Sequence, residues 1–335
     1  MYTADFSYDL PEGAIAQAAM EPRDQARLLD ADTMDDHHFS GLPRLLDPGD
    51  LVVVNRTKVR RARLLGIKET GGRVEALLLH PLGDGRWEAL VRPARRLRPG
   101  TVMQFGSIGA RIVEGPEKGR AVLAVDVNDP EDAIAAEGVV PLPPYFKGHL
   151  DDDERYQTVY AERVGSAAAP TAGLHFTPAV LAALEERGVA RTGVDLEIGL
   201  DTFRPIGADT LEGHVMHTER YRVGEDVAAA VAATRATGGR VVAIGTTVVR
   251  ALESEAGSDG SICPGDGATD LFITPGYRFR VVDRLVTNFH VPGSTLVVMI
   301  AAFMGERWRE AYGAALERGY RFLSFGDAMI VGRSS

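Results

Sequence analysis

The sequence contains one cysteine, Cys263, among 335 residues. A single cysteine excludes an intramolecular disulfide and a thiolate-rich zinc site, and it is typical of a protein that works in a reducing cytoplasm. No run approaches the ~18 consecutive apolar residues that a membrane helix needs. The first ten residues also lack the basic and apolar regions of a signal peptide. We therefore expect a cytoplasmic protein with no membrane contact.

The motifs of several common cofactors are missing. No glycine-rich dinucleotide fingerprint follows a predicted strand, and the Gly245 segment lacks the spacing and the lysine of a Walker motif. His214 and His217 lie near Glu219, but they do not have the i, i+4 spacing of helix-borne zinc ligands. The sequence thus predicts no metal, nicotinamide or flavin. An acid–base or phosphate-contacting role for the two histidines and a purely structural role both remain open.

The net charge of −10 is unevenly distributed. Residues 55–100 carry twelve Lys/Arg and four Asp/Glu, so this segment has a net charge of +8 and the rest of the chain one of −18. The acidic total argues against indiscriminate nucleic-acid binding, whereas a local basic surface can bind one polyanion selectively. The alternative is that these arginines only solvate the outer faces of strands.

The hydrophobic pattern changes near residues 60 and 150. Between them, short apolar runs recur between glycine turns, which is typical of a small β-barrel. Residues 151–335 alternate between apolar strands and helical segments, which favours a layered α/β sheet. The sequence therefore predicts an α/β catalytic domain built from residues 1–60 and 151–335, with an inserted β-barrel domain at 61–150. We expect a monomer, and the sequence leaves an oligomer open.

The segment 169–177 is the most informative candidate site. Its small residues would let the backbone approach a ligand, and the helix that is capped at Thr177 could turn its free N–H groups toward an anion. His175 is placed to act as a base near neutral pH. The alternative is a loop histidine bonded to a carbonyl oxygen. The candidate binding residues of this segment are Thr171, Ala172, Gly173 and Phe176.

A second candidate segment, 199–204, follows a predicted strand. In open α/β sheets, ligands lie beyond the carboxyl ends of strands. The alternative is an ordinary turn with Phe203 in the core. The residues that could surround a polar cofactor there are Gly199, Asp201, Thr202, Phe203 and Arg204.

Two strand-to-helix junctions complete the candidate set. Segment 245–250 combines a glycine bend, hydroxyl donors, a helix N-terminus and a cation, which favours anion binding. In segment 287–295, Asn288 could fix a base edge or a ribose hydroxyl and His290 could transfer a proton, while Ser294 or Thr295 caps the next helix. The anion-binding candidates of the first junction are Gly245, Thr246, Thr247 and Arg250.

Long strings of the sequence resemble the S-adenosylmethionine:tRNA ribosyltransferase-isomerase family of the queuosine pathway. The resemblance covers nearly the whole chain, in the family's order, and this makes it far more specific than any single motif. The strings include FSYDLP at 6–11, PRDQARLL at 22–29, PGDLVVVN at 48–55, PLPPY at 141–145, RYQTVY at 155–160, AAPTAGLHF at 168–176 and YRFLSFGDAM at 320–329.

The resemblance implies an α/β body with an inserted barrel and a reaction on the wobble base of certain tRNA anticodons. The family transfers and isomerises the ribosyl unit of S-adenosylmethionine onto the aminomethyl nitrogen of 7-aminomethyl-7-deazaguanine. Epoxyqueuosine in tRNA forms, and adenine and methionine leave. S-adenosylmethionine is then the ribosyl donor, and tRNA that carries the modified base is the partner.

The same resemblance gives the candidate residues roles. The sulfonium acidifies the ribose 5′ carbon, and His175 or His290 would take that proton. The helix N-terminus with Thr246, Thr247 and Arg250 would hold the methionine carboxylate. Aromatic rings would stack adenine or face the sulfonium cation. The candidates for that role are Phe176, Phe203 and Phe289.

The sequence departs from the family pattern at several positions. Asp201 replaces a glycine, Glu197 a histidine and Arg56 an asparagine; the residues at 60–61, 248–249 and 291–293 also differ, with Gly293 in place of a charged residue. Glu197 and Asp201 add two carboxylates beside the expected pocket. They leave open the alternative of a divergent S-adenosylmethionine-binding enzyme that acts on another acceptor.

The basic segment supplies the expected tRNA contacts. A non-catalytic RNA-binding scaffold is the alternative that this surface alone would favour. The arginines expected to contact phosphates are Arg56, Arg60, Arg61, Arg92, Arg95, Arg96 and Arg98.

Overall fold

The computed structural model describes residues 1–127, 129–150, 152–199, 202 and 204–334. The chain forms two compact units. The larger comprises Met1–Lys58, Pro143–Arg163 and Ala169–Ser335, and the smaller comprises Val59–Leu142 and Val164–Ala168. These bounds differ from the predicted division chiefly at residues 143–150 and 164–168.

The described residues form seventeen strands, six α-helices and several 3-10 helices. The strands are β1 Arg27–Asp30, β2 Asp35–His38, β3 Leu51–Asn55, β4 Thr57–Val59, β5 Arg63–Lys68, β6 Arg73–Gly83, β7 Arg86–Arg92, β8 Val102–Phe105, β9 Ile108–Glu117, β10 Arg120–Asp126, β11 Arg163–Ser166, β12 Ala190–Leu196, β13 Glu219–Val223, β14 Val241–Ile244, β15 Gly265–Thr269, β16 Arg284–Asn288 and β17 Ala328–Gly332. The α-helices are α1 Pro130–Glu137, α2 Pro178–Glu186, α3 Glu225–Ala236, α4 Thr246–Ser254, α5 Thr295–Met304 and α6 Arg307–Glu317. The 3-10 helices are Thr3–Phe6, Glu12–Ala14, Arg23–Gln25, Phe39–Leu45, Ala94–Arg96, Asp153–Tyr156, Thr171–His175 and Leu211–Gly213.

The larger unit is built on one nine-stranded sheet with the order β15-β13-β12-β3-β14-β16-β17-β1-β2. Strands β12, β3, β14 and β16 run parallel to one another at its centre. All five residues of β3 are buried, as expected for a parallel strand that is covered on both faces. The carboxyl ends of these four strands therefore meet at one edge of the sheet.

The core of the larger unit lies against these central strands. Val52, Val242 and Val286 pack into a cluster with side chains from α2 and from the 3-10 helix Phe39–Leu45. Phe176 belongs to this cluster and is fully buried. The apolar segment 295–304, which fits either a helix or a strand by its sequence, is helix α5.

The smaller unit contains a closed six-stranded barrel with the order β10-β7-β6-β5-β8-β9. Along β7, burial alternates, so that Trp87, Ala89 and Val91 are buried between exposed or half-buried neighbours. This alternation is what a closed antiparallel barrel requires, because successive side chains point inward and outward. The predicted α/β sheet and small β-barrel are confirmed.

Candidate active site

A pocket with about 560 Å³ of open space lies at the carboxyl edge of the parallel strands. It is lined by the segments that follow β12, β14 and β16, together with the 3-10 helix Thr171–His175 and the start of α5. This is the edge at which open α/β sheets bind ligands. The lining residues are Tyr145, Ala169, Pro170, Thr171, Ala172, Ile198, Thr202, Gly245, Thr246, Thr247, Thr287, Asn288, Phe289, His290, Val291, Ser294, Leu296, Leu323 and Ser324.

Two helices begin in the wall of this pocket. Gly245 precedes α4 with a φ of 94°, in the left-handed region that favours glycine, and a Cβ there would lie 3.6 Å from that of Ala172. At the start of α5, the hydroxyl of Ser294 accepts a hydrogen bond from the backbone N–H of Val297. The hydroxyl of Thr247 is buried and has no hydrogen-bond partner among the described residues. Free N–H groups and an unpartnered hydroxyl favour an anionic ligand group at the start of α4.

Asn288 ties three parts of the pocket wall together. Its Oδ1 accepts a hydrogen bond from the hydroxyl of Thr171 at 3.1 Å. Its Nδ2 lies 3.2 Å from the carbonyl oxygen of Leu323 and 3.3 Å from Nε2 of His175. The side chain is almost fully buried, so these contacts fix the amide plane, and Asn288 holds the wall rather than reaching freely into the pocket.

His175 supports this wall from outside. Its ring lies 5.0 Å from that of Phe39, centroid to centroid, and it lines a separate smaller cavity with Arg23 and Arg155. Burial lowers the pKa of His175 to about 4, so the ring is neutral at neutral pH. His175 does not line the pocket, but its Nε2 contacts Asn288, which does.

His290 lines the pocket itself. Its Nε2 lies 2.9 Å from the hydroxyl of Thr287, its backbone N–H donates to the hydroxyl of Tyr312 at 3.2 Å, and its carbonyl oxygen accepts from Tyr8. Burial lowers the pKa of His290 to about 3. The structure therefore presents a neutral, firmly held imidazole at the pocket wall.

Arg250 has a different environment from the one expected. Its guanidinium forms a buried ion pair with Glu219 and donates to the carbonyl oxygen of Thr269 at 3.1 Å, and it does not line the pocket. Burial raises the pKa of Glu219, but hydrogen bonds and positive charge from His217 and Arg250 outweigh this and lower it overall. Arg250 is thus a partner of Glu219, because the cation is already neutralised inside the protein.

The structure separates the predicted site residues into two groups. Those that line the pocket are Thr171, Ala172, Thr202, Gly245, Thr246, Thr247, Asn288 and His290. Those placed elsewhere are Gly173, His175, Phe176, Gly199, Arg204, His214, His217 and Arg250. Asp201 and Phe203 lie outside the described residues.

Contacts within the protein explain the positions of several residues of the second group. Phe176 fills the core, and a Cβ on Gly173 would lie 2.1 Å from the hydroxyl of Tyr160, so this glycine is required by packing. The backbone N–H of Gly199 donates to Glu219. The ring of His214 packs edge-on against Phe272 at 5.2 Å.

Several pocket residues had no role assigned from the sequence. Tyr145 and Ser324 both line the pocket, and their hydroxyl groups lie 2.5 Å apart. They belong to the strings 141–145 and 320–329, which the family resemblance singled out without a chemical function. The sequence indicates Glu219 only as a possible metal ligand. In the structure, its carboxylate is the centre of a buried hydrogen-bond network. Within the described residues, no three metal-binding side chains come together.

The seven basic-segment arginines also fall into two groups. Arg60 is buried, donates two hydrogen bonds of 3.0 Å to Glu131 and lies over the ring of Trp87. Arg56 lies 3.6–3.9 Å from the carboxylates of Glu162, Asp195 and Asp226. These two cations are compensated by carboxylates within the protein.

The other five arginines are exposed, in or beside the barrel: Arg61, Arg92, Arg95, Arg96 and Arg98. Among the described residues, the last four form no salt bridge, and Arg61 donates to the carbonyl oxygen of Gly138. In the part of the chain that the structure describes, no helix is long and apolar enough to cross a membrane.

Comparison with known proteins gives one consistent result. Residues 3–331 match the family described as queuosine biosynthesis protein. The chain is 48% identical over 340 residues to the S-adenosylmethionine:tRNA ribosyltransferase-isomerase of Pelotomaculum thermopropionicum, with 99% of this chain and 100% of that protein covered. It is 50% identical over 345 residues to the protein of the same name from an Anaeromyxobacter species, with both chains covered completely.

A solved structure agrees with these sequence matches. The crystal structure of S-adenosylmethionine tRNA ribosyltransferase from Thermotoga maritima is similar to this chain with a TM-score of 0.55 and 35% identity. The similarity covers 98% of this chain and 99% of that one.

Proposed function

The chain belongs to the queuosine biosynthesis protein family, and from this premise we propose that its pocket binds S-adenosylmethionine and transfers the ribosyl unit to tRNA. The chain is an enzyme. The acceptor is 7-aminomethyl-7-deazaguanine at the wobble position, and the products are epoxyqueuosine in tRNA, adenine and methionine. The observation that supports this most directly is the pocket at the carboxyl edge of the parallel strands, which is lined by eight of the residues predicted from the sequence.

The start of α4 is the proposed site of the methionine carboxylate. Backbone N–H groups of the first helical turn have no partner within the helix and attract an anion. Thr246 and Thr247 line the pocket at this point, and the Thr247 hydroxyl is buried without a partner. A carboxylate would accept hydrogen bonds both from the backbone N–H groups and from the Thr247 hydroxyl. Arg250 is left out of this site because Glu219 already neutralises it.

His290 is the proposed general base. It lines the pocket, whereas His175 lies behind Asn288. If Nε2 carries the proton and donates it to Thr287, the lone pair of Nδ1 is free to accept a proton from the acidified ribose 5′ carbon. Its lowered pKa keeps the ring unprotonated over the whole neutral range. Phe289, one of the expected aromatic residues, also lines the pocket.

The exposed arginines of the barrel are the proposed tRNA contacts. Arg92, Arg95, Arg96 and Arg98 lie close together in sequence, on both sides of and within the 3-10 helix Ala94–Arg96, and all four are exposed. Free guanidinium groups bind phosphate and release counterions from RNA. The binding energy would therefore be largely electrostatic and sensitive to salt.

The test is adenine release from S-adenosylmethionine, measured with three acceptors. We expect release with tRNA that carries 7-aminomethyl-7-deazaguanine, and none with tRNA that carries unmodified guanine or with the free base. Release with a different acceptor would favour the divergent enzyme. Tight tRNA binding with no release under any condition would favour the RNA-binding scaffold and overturn the proposed function.

A further inference from the structure

Glu219 is the centre of a buried network beside the pocket. Its Oε2 pairs with Arg250 of α4. Its Oε1 lies 2.8 Å from the hydroxyl of Thr202 and 3.2 Å from Nε2 of His217, and it accepts from the backbone N–H of Gly199 at 3.3 Å. One carboxylate therefore joins α4 to the segment that follows β12.

The hydrogen-bond directions in this network follow from the chemistry of the carboxylate. An ionised carboxylate only accepts hydrogen bonds. The proton between Thr202 and Glu219 must therefore come from the Thr202 hydroxyl, and the one between His217 and Glu219 from Nε2 of His217. Once its single proton points at Glu219, the Thr202 hydroxyl has only lone pairs left, and Nε2 of His217 lies 3.2 Å from this oxygen on the protein side. Thr202 lines the pocket, so the remaining lone pair is its polar contribution to the site.

The residues that follow Thr202 at 205–206 are also held in place. The backbone N–H of Ile206 donates to the carbonyl oxygen of Gly293 at 2.9 Å, and Pro205 pairs with Ser294 in an isolated bridge. Thr202 itself is held by its hydrogen bond to the buried carboxylate of Glu219. A hydroxyl that donates to a fixed carboxylate has a defined direction, which hydrogen-bond recognition requires.

We propose that Glu219 is a positioning residue that turns the Thr202 hydroxyl into a hydrogen-bond acceptor, with which the pocket recognises an N–H or O–H donor of its sulfonium nucleoside. Thr202 makes the contact, and Glu219 and Arg250 set its polarity. This inference rests on the proposed function, because it takes S-adenosylmethionine as the occupant. The donor is either the 6-amino group of adenine or a ribose hydroxyl.

The variants Thr202→Val, Thr202→Ser and Glu219→Gln test this polarity. Valine keeps the shape of threonine and removes the acceptor, whereas serine keeps it. In Glu219→Gln, the single amide oxygen faces the Arg250 cation, so the amide nitrogen faces Thr202 and donates to its hydroxyl. The proton of that hydroxyl then turns away from residue 219, toward the pocket or toward Nε2 of His217, and the lone pair offered to the pocket is lost. Glu253→Gln is the matched control, because Glu253 is a second buried carboxylate, located on α4, that binds Tyr277 and the N–H groups of residues 280–282 and does not line the pocket.

Dissociation constants are measured by calorimetry for S-adenosylmethionine and three analogues, each without one donor: the 6-oxo, the 2′-deoxy and the 3′-deoxy compound. We expect the wild-type enzyme and Glu253→Gln to bind one analogue about tenfold more weakly than S-adenosylmethionine. Thr202→Val and Glu219→Gln should bind S-adenosylmethionine about tenfold more weakly and lose that discrimination, and Thr202→Ser should restore it. The analogue that is affected identifies the donor.

Two negative results have different meanings. If Thr202→Val and Glu219→Gln keep the wild-type discrimination against all three analogues, Glu219 is only a structural residue and this inference is wrong, while the proposed function stands. If the wild-type enzyme does not bind S-adenosylmethionine at all, the proposed function is wrong, and this inference is wrong as well because it depends on that ligand.

Discussion

The amide nitrogen of Asn288 lies 3.3 Å from Nε2 of His175, which lines a separate small cavity, whereas His290 lines the pocket itself. A hydrogen bond at this contact requires Nε2 to accept, so the proton of the neutral His175 ring is on Nδ1. The lone pair of His175 is therefore occupied by the protein. His290, in contrast, lines the pocket. This difference in position distinguishes two histidines that the sequence indicated equally as candidates for the general base.

The two histidines should respond differently to substitution. We expect His290→Gln to slow adenine release by about 10²–10⁴-fold while S-adenosylmethionine still binds, because removal of a general base affects the chemical step. His175→Gln keeps an acceptor for Asn288 and should cost less than about tenfold. Single-turnover rates and calorimetric binding constants distinguish the two effects. A larger loss in His175→Gln than in His290→Gln would show that the base has been misassigned.

Stability should fall as the pH falls below about 6.5. The folded-state pKa values of His175 and His290 are about 4 and about 3, well below the value near 6.5 of an unfolded chain. Above pH 6.5 both rings are neutral in both states, and between pH 6.5 and 4 only the unfolded chain takes up the protons. The free energy of unfolding should then decrease by about 1.4 kcal/mol per pH unit for each histidine.

Urea unfolding between pH 7 and pH 5 measures this slope. His175→Gln and His290→Gln should each flatten it by about 1.4 kcal/mol per pH unit. A slope that is the same in the wild-type protein and in both variants would mean that neither buried ring is held neutral by the fold.

Thr247 should contribute to binding of the methionine carboxylate. We expect Thr247→Val to raise the dissociation constant of S-adenosylmethionine about tenfold, because a charge-assisted hydrogen bond is lost, and Thr247→Ser to restore it. Thr234→Val, a buried threonine of α3 outside the pocket, should leave binding unchanged. Decarboxylated S-adenosylmethionine should bind wild type and Thr247→Val equally well; a tenfold difference with this analogue would place the carboxylate elsewhere.

The exposed barrel arginines should set the salt dependence of tRNA binding. Replacing Arg92, Arg95 and Arg96 together by glutamine should reduce the slope of log K against log[salt] by about 2–3, at about 0.7–0.9 per lost phosphate contact. Arg278→Gln, an exposed arginine of the larger unit, is the control. Fluorescence anisotropy between 50 and 200 mM salt, roughly the range in which counterion release dominates, measures the slope. An unchanged slope in the triple variant would mean that these arginines are solvated and do not contact tRNA phosphates.

The sequence alone determined the classes of structure and the segments of the site. Hydrophobic periodicity and glycine turns predicted the barrel and the α/β sheet, because these patterns are local and repeat at the spacing of each element. Long matching strings identified the family, and strand-to-helix junctions indicated Thr247, Asn288 and His290 as residues at the carboxyl ends of strands, where open α/β sheets bind ligands.

Only the tertiary structure decided which polar groups are free to act. Arg250 and Thr247 lie within one turn of α4, yet Glu219, 31 positions from Arg250 in the chain, pairs with the arginine and leaves the threonine in the pocket wall. Arg60 is compensated by Glu131 in the same way, whereas Arg92 forms no salt bridge with the residues that the structure describes. Whether a charge or a lone pair is available depends on partners that are distant in sequence, and no local pattern carries that information.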